Sequence, residues 1–278
     1  MYLKNLIKKI INISKKKIYI PIVEVKDKER ILENKVALIT GGSSGIGYAI
    51  AEIFLKHGCK VIITGTKREK LEKCCEKLKE WGECEYIVLN VLDIKNMYNK
   101  IIECASMFKE NRIDILVNSA GVVAKTGFKE INEDEYDLIM NTNLKGTYFM
   151  SKFVSEFMIN KKIRGHILNI SSSSSLRPAW TPYQLSKWGI RGFTLGLADN
   201  LIKYGIIVNA IAPGPTATPM LNKFDTKEIY YQDTPAKRLS MPVEIANTAL
   251  FLVSGTGNMI VGDTIYVTGG SGVITLHH

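Results

Sequence analysis

Residues 40–47 read TGGSSGIG and stand between an apolar run, Val36, Ala37, Leu38 and Ile39, and a segment of helical character over 48–55. A buried strand that turns directly into a helix is the expectation here. Glycine at 41, 45 and 47 lets the backbone turn sharply and approach a ligand closely, while the N–H groups and positive dipole end of the helix face negative charge. The intervening Ser43, Ser44 and Ile46 belong to the same turn, so residues 41–47 form the expected phosphate cradle of a dinucleotide site.

The rest of the chain fits that start. From Lys35 onward, apolar runs at 36–39, 61–63, 86–89, 113–117, 167–170 and 206–211, with a last one near 263–267, alternate with helix-length segments. The expectation is a single α/β domain over 35–278, a doubly wound parallel sheet of the Rossmann type with helices on both faces and ligands at the carboxyl ends of the strands. A length of 278 residues and 46% hydrophobic content suffice for one large core. No apolar run approaches the length of a bilayer span. Cysteines 59, 74, 75, 84 and 104 show neither paired CxxC spacing nor clustered histidines, which argues against a metal site or disulfide framework and favours a reducing cytoplasm.

The net charge of +10 is concentrated at the start of the chain, where residues 1–35 hold ten Lys/Arg against four acids. The main domain is therefore weakly charged, and nucleic-acid binding is not expected of it. Within the extension over 1–34, Leu3, Leu6, Ile7, Ile10 and Ile11 recur at helical spacing between lysines, which predicts a short basic amphipathic helix. Contact of residues 1–20 with an anionic membrane surface or a partner is one reading, and packing on the protein's own oligomer is the other.

Tyr183 and Lys187, in YQLSK, lie four residues apart and share one helix face. A phenol with an ordinary pKa of ~10 is a poor proton carrier at neutral pH, but a neighbouring ammonium favours the phenolate. Such a pair can exchange a proton with an alcohol or a carbonyl. Together with TGGSSGIG, the motifs NSAG at 118–121, NTNLKG at 141–146, NISS at 169–172 and APG at 212–214 follow in the order and approximate spacing of the short-chain dehydrogenase/reductase family. The chain resembles that family from about Lys35 to Gly270.

The resemblance implies a catalytic set of Asn143, Ser172, Tyr183 and Lys187. Tyr183 would be the general acid or base, Lys187 would hold the nicotinamide ribose and depress the tyrosine pKa, Ser172 would hydrogen-bond the substrate oxygen, and Asn143 would anchor a water chain. Five consecutive serines over 171–175 leave Ser171 and Ser173 open for the serine role, and the eleven positions from Ser172 to Tyr183 are somewhat short for the family. In NSAG, Ser119 replaces the asparagine usual in the family, while Asn118, Ala120 and Gly121 are expected beneath the adenosine half of the cofactor. Asn90 and Val91 would flank the adenine, Pro213, Gly214 and Thr216 would border the nicotinamide, and Thr218 would hold its carboxamide.

No acid stands at or near Gly65, where an NAD-dependent enzyme would bind the ribose 2′-hydroxyl. Thr66, Lys67 and Arg68 follow instead, and they suit a 2′-phosphate, so NADP(H) is expected over NAD(H). The expected reaction is hydride transfer between nicotinamide and a small-molecule ketone or secondary alcohol, in a homodimer or homotetramer formed through the helices of Asn143 and Tyr183. Family members most similar in appearance reduce 3-oxoacyl thioesters or oxidise sugars and polyols. Trp180 and Pro182 are expected to line the pocket, and the segment between Pro219 and Pro235, with Phe224, Tyr230 and Tyr231, to form a substrate lid. A non-catalytic nucleotide-binding sensor or scaffold, and an epimerase or dehydratase without net cofactor turnover, are the competing readings.

Overall fold

All seven apolar runs become strands. A computed structural model describes residues 30–123, 126–221 and 229–274, and its strands form one parallel sheet in the order β3-β2-β1-β4-β5-β6-β7. They are β1 (Val36–Thr40), β2 (Lys60–Gly65), β3 (Cys84–Val88), β4 (Ile115–Asn118), β5 (His166–Ile170), β6 (Ile207–Pro213) and β7 (Thr264–Val267). The helices between them are α1 (Gly45–Lys56), α2 (Arg68–Leu78), α3 (Ile94–Ser106), α4 (Glu133–Met140), α5 (Thr147–Asn160), α6 (Pro182–Leu201) and α7 (Pro242–Val253). The predicted amphipathic helix at the start of the chain lies outside the described residues.

Successive residues of a strand point to opposite faces, so the central strands feed two cores. Ala37 and Ile39 of β1 meet Phe54 of α1, Leu71 of α2 and Ile245 of α7 on one face. Val36 and Leu38 meet Ile101 of α3, Val154 of α5 and Leu201 of α6 on the other. Burial on both sides explains why the strands read as continuous apolar runs. The chain joins this core just before Lys35, since Leu32 is buried and its N–H donates to the His57 carbonyl. Among the described residues no helix is long and apolar enough to cross a membrane.

Two further features position the site. Helix α6 opens with a capping box in which the Gln184 N–H donates to Thr181 Oγ1 and the Thr181 N–H donates to Gln184 Oε1, with Pro182 as the first helical residue. That cap fixes the orientation of Tyr183 in the first turn. Between α4 and α5 the chain runs through a π-helical turn, Asn141–Gly146, which contains the whole NTNLKG motif.

The opposite end of the sheet carries a buried carboxylate. Asp114 is 1% exposed, accepts the Val36 N–H at 3.0 Å, and is paired with Arg112 and with Lys35. His166 packs nearby, donating its backbone N–H to the Asp114 carbonyl. Burial, reinforced by the Lys35 charge, pushes the His166 imidazole down to about 4.

Candidate active site

The carboxyl ends of β1, β4, β5 and β6 open into a cavity of about 420 Å³. On one side lies the glycine turn. Gly41 has φ +68°, and a Cβ on Gly47 would stand 2.6 Å from the Gly41 carbonyl oxygen, so both positions exclude a side chain. Thr40 Oγ1 accepts the N–H groups of Ser119 and Ala120, each at 3.1 Å, and this ties the glycine turn to the NSAG loop. Gly41, Ser44, Gly45, Ile46, Ala120 and Gly121 all line the cavity.

The same cavity contains the proposed chemistry. Lys187 is buried, and its Nζ donates to the Ile170 carbonyl at 2.8 Å and sits 5.6 Å from the centroid of the Tyr183 ring. Burial lowers the Lys187 ammonium to about 8. The Tyr183 phenol shifts the other way, above its ordinary value, because burial outweighs the opposing effect of a hydrogen bond with Ser172. The expectation was of a depressed tyrosine, and burial instead leaves the phenol above its ordinary value.

The serines of this run are held differently. The Ser172 hydroxyl reaches Tyr183, whereas the Ser171 hydroxyl donates to the Lys187 backbone carbonyl at 3.1 Å. Ser173 opens a short 3-10 turn, and Ser172 caps it by accepting the Ser174 N–H. Asn143 is fully buried in the π-helical turn. Its carbonyl oxygen accepts the Val122 N–H at 2.8 Å, and its amide nitrogen donates to the Val122 carbonyl and to Ser186 Oγ. The side chain thus clamps the loop after Gly121 to α6, three residues past Tyr183.

Pro213, Gly214, Thr216 and Thr218 line the far wall, where Thr216 Oγ1 donates to the Gly214 carbonyl. Other expected contacts fall elsewhere. The Asn118 side chain points into the interior, where its amide nitrogen donates to Ser151 and Asn169 and so holds β4 to β5 and α5. Val91 is buried against Gly146, where a Cβ would come within 2.9 Å of it. Asn90 is exposed, and its side chain accepts the Leu92 N–H. Thr66, Lys67 and Arg68 lie exposed at the end of β2, outside the cavity; Ser43 touches the middle of α2 through its carbonyl, which accepts from Cys74 Sγ.

Trp180 does not line the pocket; it is 57% exposed, and Pro182 is committed to the helix start. Of the expected lid, Phe224 lies outside the described residues, Tyr230 is exposed, and Tyr231 borders the cavity. Sequence reasoning passed over Arg177 and Ser271, which also line it. They are 94 positions apart and joined by a hydrogen bond from Arg177 Nη2 to Ser271 Oγ at 2.7 Å.

A parallel sheet with a glycine turn after β1 and a Ser-Tyr-Lys cluster after β5 defines a class of nucleotide-dependent oxidoreductase scaffolds. Residues 35–229 match the short chain dehydrogenase family, and the protein belongs to it. It is 36% identical over 247 residues to a 3-oxoacyl-[acyl-carrier-protein] reductase of Thermotoga maritima, covering 86% of this chain and 98% of that one. Among solved structures it is similar to a putative gluconate dehydrogenase from Agrobacterium tumefaciens, with TM-score 0.79 and 30% identity over 88% of this chain and 98% of that one. A gluconate 5-dehydrogenase from Burkholderia cenocepacia, in complex with NADP and tartrate, gives TM-score 0.80 and 28% identity over 89% of this chain and 99% of that one.

Proposed function

We propose that the protein is an NADP(H)-dependent oxidoreductase acting on a ketone or secondary alcohol, with Asn143, Ser172, Tyr183 and Lys187 as its working residues. The observation that carries this reading is the placement of Ser172, Tyr183 and Lys187 in one cavity with the glycine turn. The turn suits a dinucleotide because Gly41 and Gly47 leave space that a Cβ would fill, beside the N-terminus of α1. Gly41, Ser44, Gly45 and Ile46 would hold the pyrophosphate. Pro213, Gly214, Thr216 and Thr218 would border the nicotinamide, and Lys67 and Arg68 the 2′-phosphate.

When bound, NADP(H) supplies or accepts the hydride. In the reducing direction the Tyr183 hydroxyl gives its proton to the carbonyl oxygen as hydride reaches the carbon, so the product is a neutral secondary alcohol. Burial holds that phenol protonated at neutral pH, which is the state the donor needs. Ser172 donates a hydrogen bond to the same oxygen as negative charge develops there. Lys187 stays largely charged below pH 8 and favours the phenolate left on Tyr183 until a proton returns from solvent. Asn143 acts on position: both of its amide hydrogens are taken by protein, and they fix Val122 and α6.

The relatives, named as 3-oxoacyl-[acyl-carrier-protein] reductases and gluconate dehydrogenases, support this substrate class. The cavity wall mixes hydroxyls, such as Ser172 and Thr216, with apolar groups, such as Ile46, Val123 and Met220, and so suits a carbonyl or alcohol on a chain that is partly apolar. Exposed Tyr148, Leu185, Trp188 and Leu195 on α5 and α6 offer an apolar surface for a homodimer or homotetramer.

The test is a fluorescence titration with NADPH and NADH, repeated on the double variant Lys67→Glu, Arg68→Glu. We expect NADPH to bind more tightly to the wild type, and the variant to lose about tenfold in NADPH affinity with little change for NADH. Equal affinities in the wild type would refute the 2′-phosphate reading, and no binding of either would remove the enzyme reading itself.

A further inference from the structure

Arg177 stands where two cavities meet. It borders the active-site cavity and also a second one of about 400 Å³, whose other walls include Lys237 and Asp233, of opposite charge, and Gly272 and Ile274. Ser271 is shared by both cavities in the same way. The glycine turn lies across the first cavity, after β1, whereas Arg177 follows β5 and Ser271 follows β7 at the end of the sheet. Arg177 is therefore on the substrate side of Tyr183.

The guanidinium is held in place without being neutralised. Nη2 donates to Ser271 Oγ, and a Cβ on Gly272 would come within 3.2 Å of Nε, so the side chain lies flat against that glycine. The backbone is fixed as well: Trp188 Nε1 donates to the Arg177 carbonyl at 2.9 Å, and the Arg177 N–H donates to the Ser174 carbonyl. Among the described residues no carboxylate lies within ion-pair range of it, although most other arginines there, including Arg112 and Arg238, are paired with acids. An arginine has five N–H donors in a planar fork, and here most of them remain for a ligand.

We propose that Arg177 determines specificity by receiving a carboxylate on the substrate, so that the enzyme acts on oxo-acids or hydroxy-acids in preference to neutral carbonyl compounds. The reacting carbon sits at Ser172 and Tyr183, and the charged end reaches the junction of the two cavities. An anchored guanidinium binds a carboxylate through two parallel hydrogen bonds, which orients the chain as well as holding it. This inference rests on the oxidoreductase reading above, because it assigns the far end of that reaction's substrate.

The experiment compares wild type, Arg177→Gln and Arg177→Lys in two assays. The first measures NADPH-dependent reduction of acetoacetate, levulinate and 5-oxohexanoate, each against its uncharged ethyl ester. The expected result is that Arg177→Gln raises KM for the best acid by about tenfold or more while the ester's KM moves less than about twofold, with partial recovery in Arg177→Lys. Equal changes for acid and ester, or a wild type that prefers the esters, would overturn the proposal and leave the oxidoreductase reading intact. The second assay needs no turnover: malonate should raise the melting temperature of the wild type and not of Arg177→Gln. An equal rise in both proteins overturns the proposal even if none of the oxo-acids is reduced.

Discussion

The two ends of the sheet treat buried charge differently. At the amino end Asp114 is buried with a full set of partners: the Val36 N–H, Arg112 and Lys35. At the carboxyl end Lys187 is also withdrawn from water, yet its ammonium donates to the Ile170 carbonyl beside the Tyr183 ring and, among the described residues, forms no ion pair with a carboxylate. A compensated buried charge holds a structure together, whereas an uncompensated one costs stability and persists where chemistry needs it. The contrast separates scaffold from site within one sheet.

The strongest way to break this division is Tyr183→Phe. Activity should fall about 10²–10⁴-fold, while the melting temperature drops by no more than about 4 °C, the effect of one lost hydrogen bond. A large fall in stability would make Tyr183 part of the scaffold. Next in size is Asp114→Ala, which should destabilise the protein by about 3 kcal/mol in urea unfolding. That value is at the lower end for a buried pair because Lys35 and Arg112 are partly exposed and can turn to water. NADPH affinity per folded molecule should not change, and a selective loss of affinity would contradict the division.

The sign of the stability change at Lys187 is the most diagnostic. Lys187→Met should abolish activity and yet raise the melting temperature by about 2–6 °C at pH 7. A lysine lowered to about 8 in the folded protein, against about 10.4 when unfolded, carries its full penalty below pH 8 and sheds it as pH rises toward 10.4. The advantage of the Met variant should therefore be complete at pH 7 and shrink steadily above pH 8. Melting curves at pH 7 and pH 9.5 check this, and a gap independent of pH would mean that the ammonium is compensated after all.

Much of this division could be read from the sequence. The strands were legible because those of the sheet interior are buried on both faces, and the runs at 36–39 and 167–170 each fall within one residue of a strand. The third strand was expected at 86–89 and begins earlier, at Cys84, because it lies at the sheet edge, where polar Glu85 can face water. Ser172, Tyr183 and Lys187 were legible because a strand end and one helix face bring them together. For Asn118, motif position does not reveal that its side-chain amide turns inward to Ser151 and Asn169. Arg177 and Ser271 carried no local pattern at all. Their meeting depends on β7 lying two strands from β5, which is a property of the whole sheet.

The π-helical turn at Asn141–Gly146 has a consequence for how this segment can vary. Each i→i+5 turn takes in one residue more than an α-turn, so α5 emerges rotated by about 100° from where α4 would have carried it. The turn works as a phase shifter between two helices that otherwise run on as one. Deleting a single residue there would let an unbroken α-helix form, and it would swing either Asn143 away from Val122 or Val154 and Met158 out of the core. Asn143 and Gly146 are fixed within this stretch by their contacts with Val122 and Val91, and the length of the stretch is fixed by the phase it sets.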